Sequence, residues 1–266
     1  MGGAACGMLR PMPEGDTVWR AARQIRDALA GRVLTRSDFR VPRFAVTDLA
    51  GRSVTEAVPR GKHLLIRTDN GLTVHTHLKM EGRWRITPAS GRLRESYRIR
   101  VILANAEWRA VGYQLGIVEV LPTAQEDRVT GHLGPDLLGP DWDQAEAVRR
   151  LRADPERSAA EALLDQRNLA GIGNVYKSEV LFLRGIRPWR PVGKIHDVDA
   201  LVSLSHRMLD ANKDRVNRVT TGDQRSGHGT WVYGRRDRPC RRCGTRIRCA
   251  ELGDRITYWC PSCQPD

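Results

Sequence analysis

Four cysteines near the carboxyl end have the spacing of a metal site. Cys240 and Cys243 form one Cys-x2-Cys pair, and Cys260 and Cys263 form a second pair after sixteen intervening residues. Two such pairs are typical of a tetrahedral four-thiolate zinc site, with each pair on a tight turn. Two disulfides are the alternative, but the chain begins with no secretory signal, so we expect a cytoplasmic protein whose thiols stay reduced. The sequence therefore predicts one structural Zn²⁺ per chain.

The segment between the two cysteine pairs has the pattern of two short strands joined by a turn near Gly253 and Asp254. A structural zinc would hold this hairpin, which is too small to fold unaided. Arg255 follows the turn, and we expect its side chain to project from the hairpin. It is either a solvated surface side chain or a contact to phosphate, and the spacing does not choose between the two.

Two further segments could bind phosphate. The Gly-containing turn from Asn168 to Asn174 lies between expected helices, with Asn174 as the N-cap of the second. Backbone N–H groups at a helix start suit a phosphate, although glycines often simply make a turn. Lys62 offers a phosphate contact at the entry to a strand, or is merely solvated.

The charge of the chain favours a polyanionic partner. The 266 residues include 44 Lys plus Arg and 31 Asp plus Glu, which gives a formal net charge of +13. Arg dominates the cations, and its planar group matches phosphate oxygens in pairs. No apolar stretch approaches the ~20 residues needed to cross a bilayer, which excludes a membrane-spanning protein.

The periodicity predicts an α+β chain of several domains. A helix is expected from Asp16, as its cap, to Gly31, followed by short strands typical of an antiparallel sandwich or barrel. A Pro- and Gly-rich connection follows near residues 122–143, then a helical region and a mobile loop at 213–230. The expected strands are His63–Thr68, Leu72–Leu78, Arg83–Thr87, Tyr97–Leu103, Trp108–Tyr113 and Ile117–Leu121, and the expected helices are Gln144–Arg152, Ser158–Leu164, Val175–Arg184 and Val198–Asn212.

Taken together, these segments resemble the formamidopyrimidine-DNA glycosylase/endonuclease VIII family, and its endonuclease VIII-like members in particular. The resemblance extends from Met12 to the cysteine hairpin, and its motifs arrive in family order. They are Met12–Gly15, Arg60–Leu65, His77–Gly82, Leu133–Asp136, Gly171–Glu179 and Val232–Arg235, followed by the four cysteines.

The resemblance implies a fold and a partner. Residues 13–125 would form an N-terminal helix plus antiparallel β-sandwich, and 126–143 a linker. A helix–two-turns–helix domain would cover 144–230, and a β-hairpin zinc finger 231–266. Such a protein, expected to be a monomer, would grip damaged double-stranded DNA in the cleft between its domains.

The resemblance also implies a bifunctional DNA glycosylase and abasic-site lyase of base excision repair. The Pro13 amine would attack C1′ of the damaged nucleotide, and the resulting Schiff base would permit β,δ-elimination. Glu14 would supply protons, and Lys62, Asn174 and Arg255 would hold phosphates. Met80 would fill the gap left by the flipped base, and the loop from Arg215 to Thr230 would cover that base.

The sequence departs from the family pattern at three places. Residues 1–12 precede Pro13 and would make its nitrogen a tertiary amide, so we expect this extension to be absent from the mature enzyme. Lys62 is a less favoured alternative nucleophile. Asp16 and Thr17 replace the usual Pro and Glu, so support for the active site is missing or rebuilt.

The third departure concerns specificity. Gln114 and Leu115 stand where the family has an Arg-Phe wedge, which favours oxidised pyrimidines as substrates. An oxidised-purine glycosylase acting on 8-oxoguanine or formamidopyrimidine is the nearest alternative. A non-catalytic zinc-dependent DNA-binding protein is the other.

Overall fold

The computed structural model describes residues 12–266. Residues 1–11, which make up nearly all of the expected extension, lie outside the described residues. The helices are α1 (Gly15–Leu29), α2 (Asp127–Thr130), α3 (Gln144–Arg152), α4 (Ala159–Leu164), α5 (Asn174–Leu183) and α6 (Val198–Asp210). The strands are β1 (Arg36–Phe39), β2 (Val54–Arg60), β3 (His63–Thr68), β4 (Leu72–His77), β5 (Arg83–Pro88), β6 (Ile99–Ala104), β7 (Trp108–Tyr113), β8 (Ile117–Pro122), β9 (Arg248–Leu252) and β10 (Arg255–Trp259).

The first half of the chain is the expected helix plus antiparallel sandwich. One sheet has the strand order β1-β6-β7-β5 and the other β2-β3-β4-β8, with every pair of neighbours antiparallel. Both sheets share one buried core with the apolar face of α1. The predicted sandwich is therefore confirmed.

The sequence analysis did not predict strands β1 and β2, and both lie at sheet edges. β1 has the sequence RSDF, and β2 contains Glu56, Pro59 and Arg60. Edge strands tolerate charge and proline because one side of their backbone makes no ladder hydrogen bonds. Their patterns therefore resemble those of loops.

The start of α1 differs from the prediction. The helix begins at Gly15 with Glu14 before it, and Asp16 lies within the first turn rather than at the cap. The Asp16 carboxylate instead bonds the distant Arg218. A strong ionic partner therefore takes the place of the local capping interaction.

Helices α3 to α6 form the second half, with α5 buried at its centre. The connection expected as a linker contacts both halves of the protein. Its Leu137 belongs to the core of the second half. The buried Asp136 accepts hydrogen bonds from the N–H groups of Gly61, at 2.6 Å, and Leu138, at 3.0 Å. This carboxylate thereby ties the connection to the turn before β3.

The path from α6 to the zinc hairpin contains no helix or strand between residues 213 and 230, as expected. It is held by Glu179 of α5, which is fully buried. The Glu179 carboxylate accepts from the N–H groups of Trp231, Val232 and Tyr233 at 2.7–2.9 Å, and from the hydroxyl of Thr220. Beyond this point, β9 and β10 form the predicted hairpin around Gly253 and Asp254.

Within residues 12–266, no helix is both long enough and apolar enough to span a bilayer.

We predict that Glu179→Ala destabilises the protein by about 3 kcal/mol, because three buried N–H donors lose their acceptor. Denaturant unfolding of the zinc-loaded protein measures this change in the free energy of unfolding. Glu251→Ala is the matched control, since Glu251 is exposed on β9. Equal unfolding midpoints for the two variants would contradict the structural role of Glu179.

Candidate active site and zinc centre

A cavity of about 320 Å³ lies between the two halves of the protein. The six residues predicted for chemistry and DNA contact all line it, although they come from distant parts of the chain. They are Pro13, Glu14, Lys62, Met80, Asn174 and Arg255. The fold thus brings this whole predicted set together. A larger groove, of about 690 Å³, lies between α1 and the sheet edge at β5 and shares none of these residues.

Glu14 is held by the start of α5. Its side chain is 1% exposed, and its two carboxylate oxygens accept from the N–H groups of Gly173 at 2.8 Å and Val175 at 2.7 Å. The first N–H groups of a helix have no partner within the helix, and the helix dipole favours a negative charge there. Glu14 therefore satisfies the exposed end of α5 from the other half of the protein.

Two glycines permit this close approach. A Cβ on Gly173 would lie 2.5 Å from Cδ of Glu14, and a Cβ on Gly15 would lie 3.0 Å from Cα of Gly171. The N–H of Gly15 donates to the carbonyl of Gly171 at 2.8 Å. The glycines of the 171–174 turn thus make room for Glu14 and its neighbours.

These contacts correct two expectations for the turn at 168–174. Its N–H groups at Gly173 and Val175 donate to Glu14, so they are not available to a phosphate. Asn174 is the first residue of α5 and not its N-cap, which is Gly173. The long-range carboxylate replaces a local side-chain cap.

The electrostatics of Glu14 and Lys62 suit proton transfer. Burial raises the pKa of Glu14 above its ordinary value, although Arg218 and Lys62 act in the opposite direction. Burial also lowers the pKa of Lys62 to about 8, although Glu14 opposes that change. A raised pKa favours the protonated form of a carboxyl, which is the form that a general acid requires.

Asn174 is oriented by a buried lysine to which the sequence analysis assigned no role. The Lys177 ammonium donates to Oδ1 of Asn174 and to Oγ1 of Thr257 on β10, both at 2.7 Å. Nδ2 of Asn174 then donates to the carbonyl of Ile256 at 2.9 Å. Burial lowers the pKa of Lys177 to about 7. Lys177 thereby joins α5 to the zinc hairpin beside the cavity.

Asp16 belongs to a second buried group that the sequence analysis missed. Arg218 bonds both Asp16 oxygens, and the hydroxyl of Tyr176 donates to the same carboxylate at 2.9 Å. Burial alone would raise the pKa of Asp16, but Arg218 more than offsets it and the pKa lies below its ordinary value. At this position of the family motif, Asp16 therefore bonds a distant arginine and a tyrosine. The only sign of these partners in the sequence is the acidic residue type at position 16.

Met80 and Arg255 meet across the cavity. An Arg255 N–H lies 3.5 Å from Sδ of Met80, and Arg255 also pairs with the neighbouring Asp254. Gln114 donates to Glu81, next to Met80, at 2.7 Å. Leu115, which stands where the family has its wedge, is buried in the sandwich core in this structure.

The four predicted cysteines converge at the base of the hairpin. Their sulfur atoms all lie within 4.8 Å of one another. Sγ of Cys243 is 3.5 Å from Sγ of Cys260, and Sγ of Cys240 is 4.0 Å from Sγ of Cys263. A tetrahedral zinc with bonds of ~2.3 Å places its thiolates about 3.8 Å apart, whereas a disulfide requires ~2.0 Å. The donor set therefore fits Zn²⁺, and these four residues would hold it as a structural ion.

Family models match three stretches of the chain. The formamidopyrimidine-DNA glycosylase N-terminal domain matches residues 12–113, the H2TH domain of that enzyme matches 133–211, and the zinc finger found in FPG and IleRS matches 238–265. The chain belongs to the formamidopyrimidine-DNA glycosylase family, and it is a glycosylase and abasic-site lyase of base excision repair. The predicted resemblance and the predicted zinc are confirmed.

Curated relatives indicate the branch of the family. A probable endonuclease 8 2 of Streptomyces coelicolor is 58% identical, covering 95% of this chain and 94% of that protein. The DNA-(apurinic or apyrimidinic site) lyase Nei2 of Mycolicibacterium smegmatis is 51% identical, covering 95% and 99%. The fold matches the Lactococcus lactis Fpg in complex with abasic-site DNA, with a TM-score of 0.81 at 23% identity, covering 95% of this chain and all of that one.

We predict that Cys243→Ser lowers the zinc content well below one ion per chain, because a hydroxyl is a poor replacement for a thiolate ligand. Metal analysis of the purified protein measures the stoichiometry. Cys249→Ser is the matched control, since Cys249 lies on β9 outside the four-sulfur cluster. A variant at Cys243 that kept a full equivalent of zinc would contradict the assignment.

Proposed function

We propose that this enzyme excises oxidised pyrimidines from double-stranded DNA through a Schiff base on Pro13, followed by β,δ-elimination. The observation that carries the proposal is the placement of Pro13 and the buried Glu14 at one end of the cavity, with Lys62, Asn174 and Arg255 around it. A nucleophile, a proton carrier and phosphate ligands are thereby combined in one site.

Pro13 is the proposed nucleophile. A free amino-terminal proline is a secondary amine, and α-amino groups titrate near ~8, so a useful fraction is unprotonated at neutral pH. The amine forms a bond to C1′ while the bond to the damaged base breaks, and the departing base takes up a proton. Opening of the sugar ring then breaks the bond between C1′ and the ring oxygen, which takes up a proton, and leaves an iminium between Pro13 and C1′. The iminium acidifies C2′, loss of that proton expels the 3′ phosphate, and a second elimination expels the 5′ phosphate.

This route requires that the chain begin at Pro13, with residues 1–12 removed. The match to the N-terminal family domain supports this, because it starts at residue 12. Glu14, with its raised pKa, is the proposed proton donor to the sugar oxygen as the ring opens.

The DNA grip is proposed to come from cations around the cavity. Lys62 and Arg255 offer charge to the backbone phosphates, and Asn174 offers an amide. Met80 is half exposed at the cavity edge and can enter the stack that a flipped base leaves. The formal charge of +13 suits a DNA partner, and we propose a cytoplasmic monomer.

The choice of oxidised pyrimidines is supported by the endonuclease 8 names of relatives that are 50–58% identical. The family implies this preference for its endonuclease VIII-like members. Oxidised purines remain the alternative substrate class within the same mechanism.

We predict that borohydride traps this protein covalently on abasic-site duplex DNA when the chain begins at Pro13. The reason is that reduction converts an imine into a stable amine linkage. A matched chain that retains residues 1–12 should give no trapped species, because its Pro13 nitrogen is an amide. Gel shift under denaturing conditions, followed by peptide mapping of the linked residue, provides the measurement.

Two results would contradict the mechanism. Equal trapping of the extended chain, linked through Lys62, would assign the nucleophile to that lysine. A folded, zinc-loaded chain that begins at Pro13, binds DNA and is never trapped would favour the non-catalytic DNA-binding alternative.

We predict that Arg255→Ala weakens binding to lesion-bearing duplex by about tenfold, the usual effect of losing a charged phosphate contact. Zinc content should be unchanged, because Arg255 lies at the turn and away from the cysteines. A binding titration at fixed salt measures the change. Arg248→Ala, at the other end of the hairpin, is the control, and equal affinities for all three proteins would remove Arg255 from the interface.

A further inference from the structure

Arg218 is a largely buried cation that bonds residues near the start of α1. It lies in the segment between α6 and the hairpin, and its side chain is 12% exposed. Nη2 bonds Oδ1 of Asp16 at 2.6 Å, and Nε bonds Oδ2 at 2.9 Å. The guanidinium also stacks over the ring of Tyr176, at 4.7 Å from its centre. These contacts fix the position of the charge.

The fixed guanidinium faces the Pro13–Glu14 pair. Nη1 lies 3.4 Å from the carbonyl oxygen of Met12 and 3.9 Å from Oε1 of Glu14. The carbonyl carbon of Met12 is bonded directly to the Pro13 nitrogen. Arg218 therefore stands beside the nitrogen that becomes a free amine when the chain begins at Pro13.

The surroundings of this nitrogen would otherwise favour its protonation. Glu14 follows Pro13 in the chain and Asp16 lies in the first turn of α1, both side chains are buried, and a carboxylate near an amine stabilises its ammonium form. Arg218 carries a permanent positive charge and opposes that effect. The other charged and titratable groups that line the cavity or flank Arg218 are Lys62, His77 and Lys79 of the sandwich, Tyr176 of α5, and Asp254 and Arg255 of the hairpin.

We propose that Arg218 is a positioning residue that keeps the Pro13 amine unprotonated, and so nucleophilic, at neutral pH. Asp16 departs from the family motif, and its role in this proposal is to hold the guanidinium of Arg218 in place. The proposal rests on the Schiff-base function proposed above. Arg218 does not act on the substrate itself.

The test is the pH dependence of single-turnover borohydride trapping with chains that begin at Pro13. In Arg218→Gln, the half-maximal pH should rise by about one unit, and trapping at neutral pH should fall about tenfold. Arg218→Lys should restore most of the parent profile, because it keeps the charge. Arg149→Gln, which alters an exposed cation on α3, should match the parent.

Each outcome decides the proposal. Coincident profiles for the parent and Arg218→Gln would overturn it, as would equal shifts in Arg218→Gln and Arg218→Lys. A parent chain that is never trapped would overturn the proposed function, and this inference with it. Circular dichroism and zinc content show whether each variant is folded.

A second measurement does not depend on any variant. The ¹⁵N resonance of Pro13 in the parent chain, labelled at proline, reports protonation of the amine directly. We expect its midpoint below the ~8 of an ordinary α-amino group. A midpoint at or above that value would overturn the proposal.

Discussion

The structure depends on one buried carboxylate and the end of one helix. Glu14 cannot lose its water unless donors replace it, and the start of α5 offers N–H groups that have no partner in the helix. The N–H groups of Gly173 and Val175 provide that replacement from the opposite half of the chain. The two halves are thus docked by the same side chain that we propose as the proton donor. Any change that separates them also exposes Glu14 and removes the cause of its raised pKa.

The same physical arrangement recurs away from the cavity. Asp136 accepts from the backbone of Gly61, and Glu179 accepts from three consecutive N–H groups at Trp231, Val232 and Tyr233. In each case a buried carboxylate is stabilised by hydrogen bonds from backbone N–H groups of a segment far away in sequence. Such contacts fix loops that have few apolar side chains, because backbone N–H groups are present whatever the local sequence. This explains how the chain from 213 to 233 is positioned without a helix or a strand.

The sequence predicted most accurately what is encoded locally. The cysteine spacing and the turn at Gly253 identify the hairpin, and periodicity identifies α1, six of the eight sandwich strands and the four helices of the second half. It failed where distant partners compete with local rules, as at Asp16, which bonds Arg218, and at Gly173, which receives Glu14. Edge strands β1 and β2 were missed because their charged residues and proline resemble those of a loop. The role proposed for Pro13 came from the family motifs, since its residue type alone suggests no chemistry.

The contact between Met80 and Arg255 has a consequence for how a duplex could enter. Both residues line the cavity, and a hydrogen bond to sulfur joins the segment after β4 to the hairpin. Thioether sulfur is a weak acceptor, so exchanging it for a phosphate oxygen is energetically downhill for the arginine. A phosphate that binds Arg255, as we propose, therefore replaces its contact with Met80 and leaves the thioether free for the DNA stack.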